Sequence, residues 1–195
     1  MITPQLLRHT GARAVPLALA LVCVGGLSAC SSDDSGTADA PAASASSAPE
    51  VSPAGELVQA GLNKHVKGDL EGASADYSKA LETEPDNALA LYNLGLIAQT
   101  EGSDEEAEQR YRAAIASNPD YQPAVFNLAI VRKAAGDNAE AEQLYRRAIE
   151  LNPGDAGANL NLGLLLRETG RQIEGDARVA TALELNPEFR DPALP

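Results

Sequence analysis

The chain has 195 residues and 44% hydrophobic content, enough for one packed domain of ordinary size and a further segment. Its net charge is −13 with a pI near 4.5, which disfavours nucleic acid or an anionic lipid surface as partner, since both require clustered Lys and Arg. It holds two histidines, His9 and His65, and two cysteines, Cys23 and Cys30.

Residues 1–14 carry Arg8 and Arg13 and no acid, and the apolar run AVPLALALVCVGGLSAC follows. That run is too short to span a bilayer as a helix, which takes about 20 residues. A basic start, a short apolar stretch and small residues at its end read as a secretory signal peptide over 1–29. Its close, Leu27-Ser28-Ala29-Cys30, resembles the lipobox of bacterial lipoproteins. The resemblance implies that Cys30 is acylated and becomes the new N-terminus, and that the protein is exported and lipid-anchored to the cell membrane. The anchor would sit on the extracytoplasmic face, or in the outer membrane if the organism has one. The alternative is an ordinary signal peptide with Cys30 a bystander.

Cleavage there removes two of the 15 basic residues and no acid, so the mature charge becomes −15. Cys23 leaves with the signal and Cys30 is blocked by lipid, so the folded part must be stable without a disulfide. Residues 30–53 are rich in Ser, Ala, Asp and Pro, with one large apolar residue, Val51. Such a segment cannot offset its own ordering entropy and is expected to be a disordered tether. As a flexible coil it would span roughly 25 Å.

From residue 54 a 34-residue period sets in. LGLIAQTEG (94–102) returns as LAIVRKAAG (128–136) and LGLLLRETG (162–170), and AGLNKHVKG (60–68) is a looser copy ahead of them. Pro85, Pro119, Pro153 and Pro187 mark the period; Ala80, Ala114, Ala148 and Ala182 keep register with them. So do Tyr77, Tyr111, Tyr145 and Val179, the small residues Ala73, Ala107, Ala141 and Gly175, and the glycines Gly68, Gly102, Gly136 and Gly170. Gly61, Gly95, Ala129 and Gly163 stand early in each unit.

Each unit reads as two helices. In the second, Leu91, Leu94, Gly95 and Ala98 share a face at spacings of three and four, and Gly102 supplies a left-handed cap. The second helix opens on Ser103 as N-cap with acids behind it, buries Ala107, Tyr111, Ala114 and Ile115, and is stopped by Pro119. The spacing predicts helices at 54–67, 70–83, 88–101, 104–117, 122–135, 138–151, 156–169 and 172–185. One pair cannot bury both its faces, whereas a stack of four can.

This pattern of small, large, Gly and Pro positions resembles the tetratricopeptide repeat. The resemblance implies an all-α, right-handed α-solenoid of four helix-turn-helix repeats over 54–187. The units are 54–87, 88–121, 122–155 and 156–189, with a C-terminal tail at 190–195. The fourth unit departs from the pattern at Asn159, Gly175 and Val179, and acts either as its own cap or as a docking helix.

Little points to catalysis. After processing one histidine remains, His65, with no nucleophile motif near it. Asp104, Glu105, Glu106 and Glu108 read as a solvated helix start, and the glycines recur as caps and do not form a phosphate loop. No enzyme activity, cofactor or metal is expected.

The resemblance places the first helix of each pair on a concave inner groove, where equivalent side chains form rows. Gln59, Asn93, Asn127 and Asn161 make an amide row able to clasp peptide groups. Val58, Tyr92, Phe126 and Leu160 make one apolar row, and Leu62, Leu96, Ile130 and Leu164 another. His65, Gln99, Lys133 and Arg167 form a partly basic edge. The carboxylate clamp of chaperone-binding relatives needs Lys or Arg where the amides stand, so it is absent. The expected partner is a protein segment, extended or helical, held in the groove by an anchored adaptor. The alternative is a structural subunit of an envelope or secretion assembly, docked through the repeat ends and able to associate through its uncapped last repeat.

Overall fold

The computed structural model describes residues 52–189. Among them lie eight α-helices and no strand: α1 (Pro53–Val66), α2 (Leu70–Thr83), α3 (Ala88–Thr100), α4 (Asp104–Ser117), α5 (Gln122–Ala134), α6 (Asn138–Leu151), α7 (Ala156–Glu168) and α8 (Gln172–Leu185). They form four consecutive pairs, each an odd-numbered A helix followed by an even-numbered B helix. The A helices end one residue earlier than the spacing predicts, because Lys67, Glu101, Ala135 and Thr169 are C-caps. α1 begins one residue earlier, with Pro53 in its first turn and Ser52 as N-cap.

Gly68, Gly102, Gly136 and Gly170 all have positive φ, between 79° and 85°. At the end of α3 the Gly102 N–H donates to Gln99 O and the Ser103 N–H to Ala98 O, the paired bonds of a Schellman cap. Asp69, Asn87, Asp137 and Asp155 cap their helices with side-chain oxygens. Ser103 does not: it holds the N-cap position of α4 without a side-chain bond, so the three acids that follow it carry the favourable interaction with the helix dipole.

The core is a chain of shared clusters. Tyr77 and Ala80 of the first unit pack with Ala90, Leu94 and Ile97 of the second. Tyr111 and Ala114 pack with Ala124, Leu128 and Val131, and Tyr145 with Leu162, Leu165 and Leu166. The three tyrosines are at most 1% exposed. Ile115, expected in the core, is half-buried at its edge.

Within a unit the helices cross at a small residue. A Cβ added at Gly95 would lie 2.5 Å from the Tyr111 ring, and one at Gly61 would lie 2.6 Å from the Tyr77 ring. The fourth unit is closer still. There the Gly163 and Gly175 backbones meet, and a Cβ on Gly175 would lie 2.7 Å from Gly163 O.

The rows that meet the preceding unit (Ala90, Leu94, Ile97 and their counterparts) become Glu56, Ala60 and Asn63 in α1, with Glu56 and Asn63 exposed. The sequence thus gives the first unit a polar outer face, as terminal repeats of such arrays require.

Arginines of the B helices and their flanks, with Arg132 of α5, tie the later units together. Arg112 reaches Glu140 at 2.7 Å, and Arg132 reaches Glu108 and Glu140 at 2.8 and 2.6 Å. One unit on, Arg146 reaches Glu174 at 2.5 Å and Arg171 reaches Glu142 at 2.6 Å. Hydrogen bonds from these arginines hold Glu142 and Glu174 below the usual carboxylate range; for Glu142 they overcome an opposing effect of burial. At the first junction Ser78 stands where Arg112 and Arg146 stand later, and no such clasp forms among the described residues.

Candidate functional site: the A-helix face

The apolar rows are neither free surface nor full core. Val58 is buried at 4% exposure, while Tyr92, Phe126, Leu160, Leu62, Leu96, Ile130 and Leu164 are half-buried. Tyr92 stands on its own unit's core tyrosine, Tyr111, with ring centroids 5.9 Å apart, and meets Tyr121 edge-on at 5.3 Å. Phe126 stands likewise on Tyr145 at 6.0 Å. Aromatic pairs at these distances hold their rings in place. Tyr92 with Tyr121, and Phe126 one period after Tyr92, therefore make up an aromatic shelf in two parts on the second and third units. Tyr121 starts α5 from its N-cap position, which sequence reasoning did not single out.

Both shelf hydroxyls stay neutral. Burial pushes the Tyr121 hydroxyl up to about 12, with help from Tyr92. Burial also raises Tyr92, against the opposing pull of an Asn127 hydrogen bond.

The amide row does not act as a uniform ladder. Gln59 is exposed. Asn93 is 4% exposed, which takes its amide out of a ligand's reach, and its Nδ2 donates one of its two N–H groups to Leu89 O one turn back at 2.7 Å. Asn127 is half-buried and donates to the Tyr92 hydroxyl at 3.1 Å, bridging two units. Asn161 is half-buried and makes no hydrogen bond among the described residues. Asn127 and Asn161 remain placed for a ligand; Asn93 does not.

The edge row is engaged locally. Lys133 pairs with Glu168 at 3.0 Å and Arg167 with Asp176 at 2.7 Å. Gln99 accepts a hydrogen bond from the Tyr111 hydroxyl at 2.8 Å. Burial lowers the pKa of His65, which favours its neutral form. The edge is a set of local pairs, not a free basic strip. Cys30 lies outside the described residues. Among those residues no group of His, Cys, Asp and Glu is arranged to hold a metal, and no helix is long and apolar enough to cross a membrane.

Three family models match: a TPR repeat at 64–102 and tetratricopeptide repeats at 88–121 and 126–172. No curated protein matches the sequence significantly. Among solved structures, MamA is 24% identical at a TM-score of 0.63, with 70% of this chain and 80% of that one covered. The pilF protein of Pseudomonas aeruginosa is 27% identical at 0.63, over 70% of this chain and 62% of its own. YrrB, described as a TPR protein with an unusual peptide-binding site, is 22% identical at 0.60, over 70% and 71%. Over its described residues this chain is a tetratricopeptide-repeat protein, an α-solenoid of the kind that serves as a protein-interaction scaffold.

Proposed function

We propose that this protein is a membrane-anchored adaptor, tethered through a lipid on Cys30 and binding a largely apolar polypeptide segment on its A-helix face. The observation that carries the binding half is the aromatic shelf. Tyr92 and Phe126 are large, half-buried and propped by core tyrosines, beside the amides of Asn127 and Asn161. Large rings held in place before binding lose little freedom on contact, which is how interface anchors gain their energy. Tyr92, Leu96, Phe126 and Ile130 would take side chains, and Asn127 and Asn161 would hold the backbone.

Phe126→Ala should weaken binding by about 2 kcal/mol, as for an interface hot spot. Asn127→Ala should cost about 1 kcal/mol, one hydrogen bond. Titration calorimetry with the captured partner measures both. Because the contacts are apolar and amide, affinity should change little between low and moderate salt. Binding that collapses with salt, or that survives both substitutions, moves the site elsewhere.

The anchor is tested separately. Two or three acyl chains hold a protein on a bilayer firmly, whereas one holds it marginally. Cys30→Ala should abolish both processing and membrane retention, read by mass spectrometry and fractionation. A mature N-terminus other than acylated Cys30 overturns the anchor without touching the groove.

A second reading, a structural subunit docking through the last unit, is favoured by Ile173. It is 90% exposed on α8, where the other units carry Glu71, Glu105 and Ala139. Ile173→Glu should disrupt assembly and spare groove binding; Phe126→Ala should do the reverse.

A further inference from the structure

On the B-helix side, a hollow of about 100 Å³ opens between α6, α7 and α8, lined by Arg146, Ile149, Glu150, Leu162 and Arg178. Its origin lies in two changes to the repeat. At the preceding junction Leu144 stands at the position of Arg178 and packs into the surrounding core. Asn159 likewise stands where Leu91 and Val125 do. An apolar filler and its apolar neighbour have been replaced together by a guanidinium and an amide.

The amide turns the guanidinium inward. Asn159 is 1% exposed, donates to Asp155 O at 3.0 Å, and its Oδ1 accepts from Arg178 Nη1 at 3.3 Å. Arg110, the counterpart of Arg178 two units earlier, has apolar Leu91 at the position of Asn159 and pairs instead with Glu106 on its own helix at 3.2 Å. Among the described residues that single long bond is all Arg178 makes. A guanidinium has five N–H donors in a fork matched to a carboxylate, so Arg178 retains most of its capacity. Arg146, the other arginine of the hollow, is already engaged by Glu142 and Glu174.

The size of the hollow narrows the ligand. Small-molecule sites usually run to roughly 300 Å³ and more, so this one fits the end of a single side chain. Its floor is Leu162, fully buried, and Ile149 forms a wall, which suits methylenes behind a charged group. Glu150 on the rim disfavours a multiply charged anion such as phosphate. We propose that the hollow takes a carboxylate carried on a polypeptide, with Arg178 as its partner. This is a recognition point separate from the A-helix face. Two sources offer that chemistry: an acidic side chain of another protein, or Asp191, two residues beyond Phe189 in this chain.

The test follows the Arg178 side-chain N–H signals and the Ile149 and Leu162 methyls by NMR in the full chain. Acetate is titrated against chloride at constant ionic strength. A saturable shift at millimolar acetate, absent at surface Arg147, supports an external carboxylate. Silence in the native chain with a saturable response in Asp191→Asn supports occupation by the chain's own acid. Silence in both, or a response that rises in proportion at Arg147 and Arg178 alike, overturns the site. The double variant Asn159→Val with Arg178→Leu restores the side chains of the preceding junction, so it should stay folded. Its methyl signals should lose the acetate response, and their persistence would equally overturn the proposal.

Discussion

Gly175 is the residue where the repeat pattern misleads. The other units carry Ala73, Ala107 and Ala141 there, so alanine looks like a repair, worth about 1 kcal/mol in helix propensity. In this unit the new Cβ would meet backbone, Gly163 O at 2.7 Å and Arg167 N at 3.0 Å, and backbone cannot turn aside as a side chain can. Overpacking of this kind costs about 1–3 kcal/mol, so Gly175→Ala should destabilise, with a lower urea midpoint. A higher midpoint would mean that α7 and α8 separate freely. The core tyrosines behave more simply. Tyr111→Ala or Tyr145→Ala removes a ring at most 1% exposed and should cost about 3–5 kcal/mol by denaturant titration; a loss below about half a kcal/mol would take those rings out of the core. Burial raises the pKa of both hydroxyls above 10.0, their ordinary value, and that of Tyr77 to about 12. A raised folded pKa means stability that is intact below pH 10 and lost as pH climbs through the folded values. Tyrosinate absorbance and loss of helical dichroism should therefore appear together above pH 10; tyrosinate forming first in a fully helical protein would show the rings to be accessible.

At the scale of helices, boundaries were legible because they are written in residues with one physical meaning. Glycines in the left-handed region stop the A helices, and prolines follow the B helices. Helix starts were less so: Ser103 is a favourable cap by composition, yet makes no capping bond. The amide row was the least legible part of the site. Asn93 and Asn127 are the same residue one period apart, yet one turns back to Leu89 O and the other reaches across to Tyr92. Burial and neighbouring units, not residue type, decide between those fates. The B-helix clasps were visible in principle, since Arg112 and Arg146 recur at the period, as do Glu140 and Glu174, but the contact spans 28 residues and joins two adjacent units. These pairs are partly exposed and screened by solvent, so each contributes little by itself. Arg146→Gln should therefore lower stability modestly near neutral pH. Its partners Glu142 and Glu174 have depressed folded pKa values against an ordinary 4.5, so the benefit is present above that pH and lost as pH falls through the folded values. The difference in melting temperature between Arg146→Gln and the native chain should close on acidification; a gap that persists would assign the loss to packing.

The array as a whole is unevenly bonded. Units two, three and four are joined by shared cores and by arginine clasps, and units two and three also by the Asn127–Tyr92 bond. Units one and two share a core but no clasp, and α1 turns polar residues outward. Stability in a solenoid is the sum of unit and junction terms, so amide hydrogen exchange should be fastest in α1 and α2 and slowest from α4 to α7. Uniform exchange along the array would mean that it opens as one body. The same asymmetry matters under load. A pull transmitted from the N-terminal side enters at Ser52 and reaches α1 first, at the junction with the fewest cross-links. The first unit would peel away before the shelf of Tyr92, Tyr121 and Phe126 was strained, so it would act as a mechanical fuse for the units behind it.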